Sequence, residues 1–146
     1  MKIKSSIEIP KNNGCAFCDY LSGKRQYTIL YKNERVAALV TREQRGVGHV
    51  LILPVRHVES ILDIKDEEAA ELLITIRNVA KAIDLAYGRP GISVWQNNGV
   101  PAGQAISHVH FHIAGTLEAG GTERGFVPEI SIEETEAIAS RILEFF

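Results

Sequence analysis

The stretch SHVHFHI, residues 107–113, sets a histidine at every second position, with Val109, Phe111 and Ile113 between and after them. Successive side chains of a β-strand point to opposite faces, so the alternation predicts a strand. His108, His110 and His112 would share one face, spaced about 6.6–7 Å apart by strand rise, and the apolar residues would enter the core. The chain has 5 histidines in 146 residues. Three in one short strand exceed what a half-exposed strand needs as generic polar residues.

Working outward, GISVWQ (91–96) reads as a strand and NNGVPAG (97–103) as a loop. Glycines and amides in a loop facing a histidine strand can offer donors to a phosphate, and Asn97, Gly103 and Gln104 are the candidates. A plain turn is the alternative. After the histidines, GTLEAGGTERG (115–125) reads as a mobile glycine-rich loop. Ser131 with Glu134 forms a capping box for a last helix with Ile132, Ile138, Ile142 and Leu143 on its apolar side. Upstream, residues 66–87 carry Ala69, Leu72, Leu73, Ile76, Val79, Ala80 and Ile83 at helical spacing, read as a core face and not a partner surface. Asp66, Glu67 and Glu68 suit the first turn, and Gly88 and Pro90 end the helix. RVAALV (35–40) and VGHVLILP (47–54) read as strands around the polar loop TREQRG (41–46). Runs of strands with one long helix between them predict an α+β fold: an antiparallel sheet of about five strands with a long helix and a C-terminal helix. The whole chain, 1–146, reads as one domain. It divides into an arm (1–14), a core (15–115), and the glycine-rich loop with the last helix (116–146).

A hydrophobic share of 45%, a charged share of 23% and a net charge of −2 describe a globular chain. They give no broad electrostatic basis for nucleic acid or an anionic membrane as partner, while a small anionic ligand stays possible at a local site. No apolar run is long enough to span a bilayer or to serve as a secretory signal. A cytoplasmic protein is the expectation. Cys15 and Cys18 form CAFC, spaced for half of a metal site, for a redox pair, or for two unligated thiols in a reducing compartment. A redox CxxC would open a helix directly after a strand; this one follows a polar arm.

Imidazole titrates near neutrality and can be nucleophile, base or metal ligand. Crowded imidazoles disfavour one another's protonation, which keeps a central one neutral and nucleophilic. Two chemistries follow: three histidines on one catalytic metal, or one histidine attacking an electrophile covalently.

HVHFHIA fits the alternating signature of the histidine triad superfamily. CAFC, GHVLILPVRH, NNGVPAGQ and the triad occur in the family's order, so the sequence resembles that family over residues 15–115. The resemblance implies a nucleotide-binding α+β fold, usually homodimeric, whose enzymes cleave at the α-phosphorus through a nucleotidyl-histidine intermediate. On that reading His110 is the nucleophile, His112 contacts phosphate with His49 beside it, Gln104 polarises the leaving oxygen, and Asn97 holds phosphate. Gly103 and Ala105 belong to the binding loop. The resemblance also implies a structural zinc on Cys15, Cys18, His57 and His108. The chain looks more like the fragile-histidine-triad branch, which hydrolyses dinucleoside polyphosphates, than the phosphoramidase branch. It departs from the family pattern at Thr41, where an acidic or amide residue often holds ribose, and at Ala105, where a hydroxyl residue often follows the glutamine. The 115–125 loop matches no family pattern. Trp95 is read as core packing, and Arg42 and Arg45 as solvated loop. A non-catalytic nucleotide-binding protein of the same fold is the remaining alternative.

Overall fold

The computed structural model describes residues 4–146; Met1, Lys2 and Ile3, the start of the expected arm, lie outside the described residues. The helices are α1 (Ala16–Leu21), α2 (Asp66–Tyr87) and α3 (Ile132–Leu143), and the strands are β1 (Thr28–Lys32), β2 (Val36–Val40), β3 (Val47–Pro54), β4 (Ile92–Trp95) and β5 (Phe111–Gly115). The sheet has five strands in the order β1-β2-β3-β5-β4, and each adjacent pair is antiparallel. This is the expected α+β architecture.

One layer of core lies between the sheet and the two long helices. Val36, Ala38, Val40, Val50, Ile52 and Ile113 from the strands pack on Leu72, Ile76, Val79, Ile83 and Ile142 from α2 and α3. The apolar stripe of α2 divides: Leu72, Ile76, Val79 and Ile83 are buried, while Ala69 and Leu73 are exposed. Glu68 occupies the inward position at the first turn instead, held by Arg56 at 2.7 Å and by the Lys65 N–H at 2.9 Å. On the other side of the sheet, Leu39, Leu51 and Leu53 cover Phe17 of α1 in a smaller cluster.

Two elements escaped the sequence reading. α1 is one turn and a half, capped by the Cys15 sulfur, which accepts the Cys18 N–H at 3.4 Å. The CxxC pair therefore does open a helix, though the arm and not a strand precedes it. β1 pairs with β2 through a turn that Asn33 closes, its side-chain oxygen accepting the N–H groups of Arg35 and Val36. The run Thr28–Tyr31 carries the β-propensity that could have found it.

The histidine segment needs a larger correction. Regular pairing begins at Phe111, not at Ser107, so strand alternation orients only His112. The backbone before it is bonded to loops: Ser107 N–H to the Asn12 side chain at 2.7 Å, and Val109 N–H to the Val58 carbonyl at 2.7 Å. Those bonds seat the arm and the 55–60 segment around the histidines.

Candidate active site and metal cluster

A bulge sets up the first catalytic candidate. Val47 pairs with Gly115 and Val50 with Ile113, so β3 carries one residue more than β5 between these pairs. Gly48 absorbs it at φ +65°, where a Cβ would stand 2.6 Å from the Tyr87 ring. The bulge turns His49, 1% exposed, toward His112 on the neighbouring strand. Gln44 locks the preceding loop, donating to the carbonyls of Thr41 and His49 and accepting the His49 N–H.

The hydrogen bonds fix the tautomer of each ring. Arg45 donates its backbone N–H to His49 Nδ1 at 3.0 Å, so His49 carries its proton on Nε2. That N–H donates to His112 Nδ1 at 3.0 Å, which leaves the His112 proton on Nε2. His110 donates from Nδ1 to the His108 carbonyl at 2.8 Å, so its Nε2 holds a lone pair. Neither Nε2 has a partner among the described residues, and no buried side-chain polar atom there lacks one, so both are open to the cavity. One ring offers a lone pair and its neighbour an N–H donor, with ring centroids 5.0 Å apart. Burial is the main cause that lowers the pKa of His110 below the ordinary 6.5, and that takes His49 to about 3 and His112 to about 2. All three are neutral at pH 7.

These rings lie on a cavity of about 940 Å³, within the size range of small-molecule sites. Thr41, Asn97, Gly103 and Ala105 also line it, as expected. Trp95 is not core. It stands directly across from His112 in the β4–β5 ladder and stacks on its ring at 4.7 Å and 4°. Phe17 approaches His110 edge-on at 4.9 Å, and Tyr20 stacks on Tyr27 in the same cavity. Arg42 and Arg45 are half-buried anchors rather than solvated loop residues. Both bond the 123–130 segment, which follows and overlaps the end of the glycine-rich 115–125 loop.

Gln104 takes a different place from the one expected. It is buried and does not line the cavity; its oxygen accepts the Gly99 N–H at 2.7 Å and its amide donates to the carbonyls of Glu59 and Ile106. Both of its amide protons go to those carbonyls, and none is left to donate to a leaving oxygen.

His108 has a separate role. It is fully buried and donates from Nε2 to the Pro54 carbonyl at 2.8 Å. Its Nδ1 lone pair faces Cys15 Sγ at 3.4 Å and Cys18 Sγ at 3.7 Å, and His57 Nδ1 lies 3.5 Å from Cys18 Sγ. The four ligand atoms are all within 4.8 Å of one another. Ligands on a tetrahedral zinc with bonds of about 2.0–2.3 Å stand roughly 3.3–3.8 Å apart, so the cluster fits that ion by donor type and spacing. With both nitrogens engaged here, His108 cannot share a metal with His110 and His112. The three-histidine catalytic metal site of the sequence reading is not formed. Without a metal, burial followed by the neighbouring Cys15 thiol pushes the Cys18 thiol up to about 11.

A five-stranded antiparallel sheet that delivers a free imidazole and an imidazole donor to a nucleotide-sized cavity defines a protein of the histidine triad class. A family model described as the HIT domain matches residues 22–119. The chain is 33% identical to a HIT-like protein of Saccharolobus solfataricus, over 89% of this chain and 96% of that one, and it belongs to the HIT family. The structure is similar to that of a hypothetical histidine triad nucleotide-binding protein of Sulfolobus tokodaii, with a TM-score of 0.78 and 30% identity over 89% of this chain and 90% of that chain. Two Schizosaccharomyces pombe relatives carry named activities. The adenosine 5'-monophosphoramidase hnt1 is 33% identical over 68% of this chain and 71% of its own length. An asymmetrical bis(5'-nucleosyl)-tetraphosphatase is 30% identical over 68% of this chain and 54% of its own. Matches of similar strength to both activities leave the lean toward the fragile-histidine-triad branch without specific support. The family match begins after Cys15 and Cys18 and ends at residue 119, so the cluster's cysteines and the 120–146 segment lie outside it.

Proposed function

We propose that this chain is a nucleotide hydrolase or nucleotidyl transferase that works through a covalent bond between His110 and the α-phosphorus of its substrate. The observation that carries the reading is the tautomer of His110, with Nδ1–H donated to the His108 carbonyl and Nε2 open in the cavity. Nε2 attacks phosphorus with its lone pair, the bond from phosphorus to the leaving atom breaks, and the leaving group departs with that electron pair, as a polyphosphate anion or, after its nitrogen takes a proton from solvent, as a neutral amine. Water then attacks phosphorus, the phosphorus–nitrogen bond breaks, and the lone pair returns to Nε2 while water's proton is lost to solvent. Splitting the displacement in two lowers each barrier. His112 Nε2–H, oriented by His49 and by Trp95, donates to a phosphoryl oxygen as charge grows on it. Asn97 and the Gly103–Ala105 loop hold phosphate, and Thr41 faces the ribose. The named activities of the two yeast relatives support a phosphoramidate or dinucleoside polyphosphate substrate.

Cys15, Cys18, His57 and His108 would hold a structural zinc, which supplies a cross-link between α1, the 55–58 segment and the triad. His108 would thereby be fixed, and through its carbonyl so would the tautomer of His110. A homodimer is part of the proposal, on the resemblance alone.

The test is steady-state hydrolysis of diadenosine tetraphosphate and of adenosine 5'-phosphoramidate. Wild type should turn over at least one of them, and His110→Ala should turn over neither while binding AMP. Turnover that survives in His110→Ala overturns the reading. AMP binding with no turnover of any such substrate by wild type establishes the non-catalytic alternative.

A further inference from the structure

The segment that follows the family match forms part of the cavity wall. From residue 122 it runs back along the 41–46 loop, held at both ends. Arg45 accepts the Glu123 N–H at its carbonyl (2.7 Å), and its guanidinium donates to the carbonyls of Glu123 (3.2 Å) and Gly125 (2.7 Å). Arg42 accepts the Ile130 N–H (2.9 Å), donates to the Ile130 carbonyl (2.8 Å), and pairs with Glu129 at 3.1 Å. The two clamps mark two ends of the cavity. Arg45 is the residue whose N–H holds His49, and its charge acts on His112. Arg42 accompanies Tyr27 and Thr41, the Tyr27 hydroxyl accepting the Arg42 N–H at 3.0 Å. The segment thus spans the cavity from the phosphate-binding histidines to the end where Thr41 lies.

At the histidine end this wall presents Arg124 to the cavity. Arg124 enters none of the ion pairs among the described residues. The neighbouring carboxylates are otherwise engaged: Glu129 with Arg42, Glu43 with Arg45 at 3.9 Å, and Glu123 with the Gly125 N–H at 3.3 Å. An uncommitted guanidinium lining the same cavity as His110 and His112, on a segment pinned by Arg45 on either side of it, is suited to phosphate oxygens, which it can take two at a time. It has nothing to offer a neutral or cationic amine. We propose that the histidine end of segment 122–130 forms the leaving-group side of this site and that Arg124 selects substrates whose leaving group is a polyphosphate. The inference rests on the reading of His110 as nucleophile and adds the class of leaving group.

The experiment compares wild type, Arg124→Gln and Arg124→Lys on diadenosine tetraphosphate and on adenosine 5'-phosphoramidate. It also measures affinity for inorganic tripolyphosphate and for AMP by the fluorescence of Trp95, the single tryptophan. Loss of a charge-assisted bond predicts a roughly 10–100-fold fall in kcat/KM for the tetraphosphate in Arg124→Gln. The phosphoramidate should stay within about twofold, tripolyphosphate should bind correspondingly weaker, AMP should bind unchanged, and Arg124→Lys should recover part of the loss. Equal loss on both substrates, or no loss on either, overturns the proposal. Should wild type turn over neither substrate, the nucleophile reading fails by itself. Tripolyphosphate affinity still decides the role of Arg124: unchanged binding in Arg124→Gln refutes it and weakened binding upholds it.

Discussion

At the scale of single residues, three imidazoles of one chemical kind are given two opposite tautomers by their hydrogen-bond partners, Nε2–H on His49 and His112 and Nδ1–H on His110. His110 is denied a proton on Nε2 by the His108 carbonyl, and His112 is given one by the chain from Arg45 through His49. Replacing His112 by Ala removes one donor to the transition state, so kcat should fall roughly 10²–10³-fold, while loss of the acceptor for the buried His49 N–H should lower the melting temperature by a few degrees. Steady-state kinetics beside a thermal melt check this. Burial of neutral histidine also makes stability depend on pH. His49 has its pKa lowered from 6.5 to about 3, so the unfolded chain binds more protons than the folded one between those values. Its contribution is present above pH 6.5 and lost as pH falls below it, about 2 kcal/mol by pH 5. Denaturant unfolding at pH 7.5 and pH 5 should show that loss or more, and His49→Phe should reduce the difference. Equal stability at the two pH values would contradict the burial argument.

At the scale of elements, loops and bulges do more for the site than regular strands. Gly48 is the clearest case. Alanine there meets both the left-handed backbone and the Tyr87 ring, at roughly 2–4 kcal/mol. Gly48→Ala should therefore lower the denaturation midpoint sharply and reduce activity through displacement of His49, measured on the folded fraction. β3, α2 and α3 were legible because their apolar patterns and caps are local: VGHVLILP ends at its proline, and Ser131 accepts the Glu134 N–H as its spacing requires. The triad segment was less so. Its alternation imitates a strand from Ser107, yet Asn12 and Val58 take its N–H groups, and nothing within seven residues reveals partners so distant in sequence. Gln104 was misplaced for a related reason. A glutamine beside a phosphate-binding loop and one that staples the loop from behind have the same sequence. Asn97 and Gly103 were legible from the composition of their loop and Cys15 and Cys18 from their spacing, while Thr41, Ala105, His57 and the ligand role of His108 came from the resemblance. Arg45, Trp95 and the 122–130 wall carried no motif at all.

At the scale of the whole molecule, two centres share one short stretch of chain. The cysteine cluster ties α1 and the 55–58 segment to His108, and two residues later the chain delivers His110, the proposed nucleophile. Phe17, which lies between the cysteines, packs against both His108 and His110. Protein purified without chelator should carry about one zinc per chain by elemental analysis, in keeping with four ligands. Cys18→Ala should carry none, and removal of the metal should lower the melting temperature. Metal content that is independent of Cys15 and Cys18 would contradict the assignment. No helix among the described residues is long and apolar enough to cross a membrane.

The central claim is the covalent bond at His110, and the most direct measurement is the intact mass of the protein, quenched without acid during turnover of diadenosine tetraphosphate. Wild type, His112→Ala and His110→Ala are compared, the second to slow breakdown of the intermediate. The account predicts a gain of one nucleotidyl group in His112→Ala, its absence in His110→Ala, and loss of turnover in the latter. Turnover with no adduct in any variant, undiminished in His110→Ala, would contradict it.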